Sequence, residues 1–445
     1  MLYRLNLNIF IVGAVTIGFM AALTAERALT VMALITVVAF ITQMLLMLYF
    51  SRDDCTDFSE KTLFNTVFAY TLLLGIFFML ISYYYEGDTF VHSKADAMYY
   101  YRQSMKVQEL GLVGNLNRII REVDYDDWGA SMIDTFVMYL IPNKLFLNFI
   151  YTLLGSVSAL FLFRIGKSFM SEQYAFLAVL GYSCSSYIVF FNCAFLKEAW
   201  FVFFVISTLY NQHNAIKYQT KKSFWLTALC IFIVFFFRPA VAAFLVGGTF
   251  VYYGITQRGK AISLFLYVGA VGVVLVTLKK AMEMIMYNTG GGSIDVMVEE
   301  TNNGAYSGGF NYFVSIFGAF FGPFPSLFPK IQGPSSLEYL GAGLVYKLFL
   351  VFPFWYGVYT AIKKKVVELT PILFFVLVEL VLTGLVCASL ELRKVILHVP
   401  FMYILTYYGI YHGAIHDNLT RISSIPSYAF AIGVLFLWNV IKVNG

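Results

Sequence analysis

Charge is scarce in this chain. Aspartate, glutamate, lysine and arginine make up 12% of its 445 residues, about half the share found in soluble domains. That excludes an ordinary solvated globular surface. Cysteine is also sparse. Of Cys55, Cys184, Cys193, Cys230 and Cys387, four fall in or beside apolar runs and no pair has metal-site spacing. The odd count argues against a disulfide framework, so they read as small packing residues. No cleavable signal peptide is evident. The first apolar run lacks a small-residue cleavage site and a second follows at once, which reads as a retained anchor. There is no internal repeat, and so no sign of the inverted symmetry common in transporters. The net charge of +5 is too small to point to nucleic acid.

Apolar residues fill the space that charge leaves. They are 60% of the chain, with 46 Phe and 32 Tyr and a mean hydropathy of +0.75. A helix needs about 20 apolar residues to cross a bilayer. Candidate runs are 8–25, 28–50, 63–84, 145–163, 174–191, 199–210, 224–237, 240–255, 261–278, 346–362, 370–389, 395–411 and 428–441. The expected fold is all-α: a polytopic transmembrane helical bundle of about 13 spans, one integral membrane domain over 1–445. Several runs are short, so broken or tilted helices are expected.

Basic residues in short loops set orientation. With the N-terminus and Arg4 in the cytoplasm, Arg52 and Lys61, Arg164 and Lys167, Lys217, Lys221 and Lys222, Arg258 and Lys260, Lys363 to Lys365, and Arg421 all fall on that side. The other face receives a long loop, 86–143, and a second external stretch, 279–345. Within the latter, 310–330 is apolar but carries Pro323, Pro325 and Pro329, and reads as a re-entrant segment buried in protein or lining a wet cavity. In the long loop, Tyr99 to Leu112 and Trp128 to Leu140 have apolar residues at helical spacing, the second through Trp128, Met132, Phe136 and Tyr139. Both are expected to be amphipathic helices on the membrane surface.

Ionisable groups beside lipid are costly, and therefore informative. Asp88, His92, Asp96 and Arg102 follow a span directly. They suit a general acid or base with a cation for an anionic substrate, against the alternative of solvated loop charge. Lys197 and Glu198 open an apolar run at an external corner. Adjacent helical residues do not face each other, so Lys197 is available to a phosphate and Glu198 to another partner, unless both simply snorkel. Arg238 lies between Phe237 and Pro239, where a forked, permanent cation suits a phosphate or diphosphate. Arg393 opens a late span, and Glu379 sits deep within its own, where it could pair with one of the arginines. All the unusual charges project to the external side, which favours an enzyme over a transporter. A substrate with a phosphate to anchor and a hydroxyl to deprotonate fits them.

Acids directly after a span, with Asp96-Ala97-Met98-Tyr99, the Leu196-Lys197-Glu198 corner and the late Arg393, resemble the C-type superfamily of membrane glycosyltransferases. The size, span count and polar external face are also similar to bacterial O-antigen and capsule polymerases. The resemblance implies a catalytic acid in the first large external loop, at Asp88 or Asp96; the chemistry of the residues puts forward His92, Arg102, Lys197, Glu198, Arg238 and Arg393 as the substrate-binding groups. It implies a polyprenyl-(di)phosphate-linked sugar donor and an acceptor as partners, with membrane lipid and a chain-length regulator, in the bacterial inner membrane. The expected reaction is repeat-unit polymerisation. Transfer of a single sugar, or flipping of a lipid-linked oligosaccharide, are the alternatives. No cofactor is expected, with a divalent metal left open. The chain departs from oligosaccharyltransferases in lacking their Trp-Trp-Asp motif.

Overall fold

A computed structural model describes residues 1–23, 31–87, 89, 96–123, 127–256, 316–322, 324–325, 327, 336–385, 395–414 and 419–444. Among them the regular structure is entirely helical. In order the helices are α1 (Leu2–Leu23), α2 (Val31–Phe50), α3 (Glu60–Glu86), α4 (Asp96–Met105), α5 (Val107–Glu122), α6 (Trp128–Leu140), α7 (Lys144–Gly166), α8 (Glu172–Ser183), α9 (Ser186–Cys193), α10 (Lys197–Tyr218), α11 (Lys221–Phe235), α12 (Pro239–Thr256), α13 (Ser336–Phe349), α14 (Val351–Lys363), α15 (Thr370–Leu385), α16 (Val399–Ala414) and α17 (Leu419–Asn444).

Local chemistry explains the ends. Ser59 caps α3 by accepting from the Thr62 N–H, and Gly87 closes it in the left-handed region at φ 68°, a conformation that is cheap only without a Cβ. Asn143 caps α7 by accepting from the N–H groups of Leu145 and Phe146 at 2.8 and 3.3 Å, a standard use of a short polar side chain at a helix start. The break between α13 and α14 follows from Pro353. Its ring opposes the carbonyl four residues back, that of Phe349, and the two helices bend by 53° there.

Among the described residues, four stretches are long and apolar enough to cross a membrane: Glu60–Tyr84, Lys144–Gly166, Pro239–Thr256 and Val367–Gly384. The count rises to six if each of two bent pairs is one span, α8 with α9 at 59° and α13 with α14 at 53°. This replaces the expected count of about 13. Most of the apolar runs do become helices, but α11 and α16 have only 15 and 16 residues, and the runs 174–191 and 346–362 are each split by a bend. The run 261–278 lies outside the described residues, as does most of the proposed re-entrant segment. At its end, Asn439 of α17, fully buried, donates to the Pro325 carbonyl at 3.0 Å and accepts from the Leu327 N–H at 2.7 Å. Irregular backbone here is satisfied by a side-chain amide, as it must be where water is absent.

The chain divides into two compact units: Met1–Ile206 with Phe324–Thr360 and Val399–Gly445, and Ser207–Pro323 with Ala361–His398. In the first, α14 and α16 touch at Gly357 and Gly409, where a Cβ on Gly409 would lie 2.5 Å from the Pro353 carbonyl oxygen. In the second, α12 meets α15 through Gly247 against Phe374 and Gly248 against Pro371. Close backbone approach through small residues is the usual way helices pack when lipid removes the hydrophobic drive between them.

The described parts of the 86–143 loop are folded. Asn115 of α5, fully buried, donates to the Gln103 carbonyl at 3.0 Å and to Thr135 Oγ1 of α6 at 3.1 Å. Gln108 donates to the Met138 carbonyl at 2.9 Å. The face of α6 turned inward is polar and small, made of Ala130, Ser131, Asp134, Thr135 and Met138. Its aromatics point out, with Phe136 and Tyr139 49% and 53% exposed. A polar face packed on protein with an aromatic face outward is the reverse of a helix in water, and it is the arrangement a lipid interface favours.

Candidate functional site

Asp127 and Tyr100 of the loop meet the start of α10. Asp127, directly before α6, accepts from Lys197 Nζ at 2.6 Å and from the Tyr100 hydroxyl at 2.7 Å, both on Oδ1. Lys197 is the first residue of α10. A cation is disfavoured at that end of a helix, so an acid is needed to hold it there. Both partners are largely but not fully covered, so the pair stays within reach of solvent. Tyr100 is buried. Burial, then the Asp127 carboxylate beside it, holds its phenol well above the ordinary range, so it stays a proton donor. Asp96 and Glu198 both act electrostatically on Tyr100, Asp96 from one turn earlier on α4 and Glu198 from the first turn of α10 beside Lys197. Glu198 is only 1% exposed.

A second carboxylate lies deeper. Asp134 is 0% exposed. Its Oδ2 accepts from the Tyr151 hydroxyl and its Oδ1 from Trp200 Nε1, each at 2.9 Å. Both donors are neutral, and burial outweighs their hydrogen bonds, so the carboxyl is pushed up to about 7. The corner before α10 is strained. Phe195 has φ 54°, a left-handed conformation that costs an aromatic residue about 1–2 kcal/mol. Packing against Tyr151 and Tyr101 holds it there, at ring separations of 5.9 and 6.5 Å. Lys144 Nζ lies 5.7 Å from the Phe195 ring and donates to Thr89 Oγ1 at 2.6 Å, which adds a second cation.

Of the residues expected from the sequence, Asp96, Lys197 and Glu198 come together. Arg102 lies on the last turn of α4, exposed. Arg238 is in the second compact unit, where it acts electrostatically on the buried Glu379. Asp88, His92 and Arg393 lie outside the described residues. Asp127, Asp134, Tyr100 and Lys144 join the site without standing out in the sequence. One signal was present for the first two. Asp134 is the single acid within an otherwise apolar and small helix, and it stands seven residues from Asp127, which puts both on one face.

The cluster can hold an anion on Lys197 and can accept a proton on Asp127 or Asp96. Among the described residues no group of histidine, cysteine and acidic side chains could hold a metal ion. The described residues are all helical, and four to six of their helical stretches are long and apolar enough to cross a bilayer, which is the makeup of a helical membrane protein. No protein-family model matches it, and no curated protein or solved structure matches it either.

Proposed function

We propose that the protein is a polyprenyl-(di)phosphate-dependent glycosyltransferase on the outer face of the bacterial inner membrane, and that it polymerises O-antigen or capsule repeat units. One observation carries the reading: the Asp127–Lys197 pair at 2.6 Å, with Tyr100 on the same carboxylate oxygen. An ammonium suits the lipid diphosphate, whose negative charge grows as the sugar leaves. When diphosphate replaces Asp127 as the partner of Lys197, the Asp127 carboxylate is released to act as a base. The acceptor hydroxyl then attacks the anomeric carbon, the bond from that carbon to the phosphate oxygen breaks, and the hydroxyl proton passes to the carboxylate. Asp96, one turn before Tyr100 on α4, is the second candidate acid. The aromatic outer face of α6 supports placement at headgroup depth.

Purified protein in vesicles, given lipid-diphosphate-linked repeat units, should lengthen them. Lys197→Ala and Asp127→Asn should each lower turnover by about 100-fold or more while the protein still inserts. Undiminished chain lengthening in both variants would sink the assignment. Wild-type protein that moves the lipid-linked sugar across the vesicle without joining it would favour the flippase alternative.

A further inference from the structure

Asp127, the N-cap residue of α6 with αR backbone, and Asp134 within the helix are seven residues apart and so lie on one side of it. Lys197 and Trp200, three apart, share one face of α10. The two faces meet in two rungs. At the rim, Asp127 takes Lys197 and the Tyr100 hydroxyl. Inside, Asp134 takes Trp200 Nε1 and the Tyr151 hydroxyl, one on each oxygen. Each carboxylate therefore receives one donor from α10 and one tyrosine from a further helix.

The rungs differ in what holds them. Lys197 sits on a long, flexible stem at the end of a helix that repels it, so its ammonium has no fixed position of its own. The inner rung has short, planar partners. Two hydrogen bonds to the two oxygens of one carboxylate fix its plane, and with it the rotation of α6 against α7 and α10. Tyr151 and Trp200 also pack edge to face, with ring centres 5.8 Å apart. Loss of the carboxylate would leave two buried donors unanswered, and the helices would shift to reach other acceptors.

We propose that Asp134 is a positioning residue: it sets the register of α6 on α10 that brings Lys197 onto Asp127, and so keeps the ammonium where an anionic group can reach it. The catalytic meaning of this rests on the glycosyltransferase reading. The register itself does not.

The test uses full-length protein in detergent and the rate at which an amine-reactive ester acylates Lys197, read by mass spectrometry. Asp134→Ala should raise that rate about tenfold, as much as Asp127→Asn does, the size expected when one buried set of hydrogen bonds is lost. Asp134→Asn keeps one acceptor and should remain close to wild type. Lys167, paired with Glu172 at the far end of α7, should not change in any of them. If Lys167 accelerates in step, Asp134→Ala has unfolded, and Trp200→Phe, which removes one donor only, decides instead with an intermediate rise. Lys197 acylating at the wild-type rate in a folded Asp134→Ala or in Trp200→Phe overturns the proposal. Where transfer activity exists, Asp134→Ala should lower it about 100-fold, as a displacement of about 1 Å does. A Lys197 response without any wild-type transfer activity leaves the register standing and removes the functional reading.

Discussion

At the residue scale, Asp134 is the most consequential side chain. Burial favours the neutral form of this carboxyl, and the two neutral donors that favour the anion, a hydroxyl and an indole, only partly offset it. Its ordinary value of 3.8 is raised to about 7 in the folded protein. A raised carboxyl contributes its stability in full below 3.8 and loses it as pH climbs to about 7, because over that window the folded state binds the extra proton. Thermal unfolding should therefore show wild-type stability falling from acid toward neutral pH relative to Asp134→Asn, which cannot titrate. A difference between the two that does not vary with pH would contradict this. The sequence shows an acid at position 134, but it does not show that two neutral donors from α7 and α10 close over it.

At the element scale, the glycines divide sharply by what they face. Gly409 of α16 lies against α14, so any Cβ there must push two backbones apart. Gly433 of α17 has nothing within 4 Å of where its Cβ would be. Gly409→Val should lower stability by about 1–3 kcal/mol or more, seen as a lower unfolding midpoint and reduced yield. Gly433→Ala should raise it by up to about 1 kcal/mol through helix propensity alone. Both glycines lie in apolar helical sequence, and nothing local separates them. The helices themselves were legible, since apolar runs with capping residues such as Ser59 and Asn143 state where they start. Their division into crossings was not, because bends such as that between Ser183 and Ser186 interrupt continuous apolar sequence. The direction of α6 was also misleading: Trp128, Met132, Phe136 and Tyr139 mark an apolar face, but Phe136 and Tyr139 point outward while Asp134 points in.

At the scale of the whole molecule, the distribution of basic residues makes the prediction. Loops bearing Arg52, Arg164 and Lys363 to Lys365 are expected in the cytoplasm, and the 86–143 loop outside. Cys55 and an Arg102→Cys variant lie on opposite sides under that orientation, and both positions are accessible. With the other native cysteines replaced, an impermeant maleimide added to cells whose outer membrane has been opened should label Arg102→Cys and spare Cys55. The reverse pattern would place the cluster on the cytoplasmic face and remove its access to an externally presented lipid-linked substrate.

The sequence by itself determined the helical, lipid-compatible character of the chain and the approximate place of most helices. Those properties depend on hydrophobic content and on neighbours within a turn or two, which the order of residues states directly. It also marked Asp96, Lys197 and Glu198 as charges out of place. Only the tertiary structure decided their partners. Asp127 and Lys197 are 70 residues apart, and Asp134 and Trp200 are 66 apart. Whether such pairs meet depends on how helices rotate and cross, and small changes in packing at those crossings override any local preference.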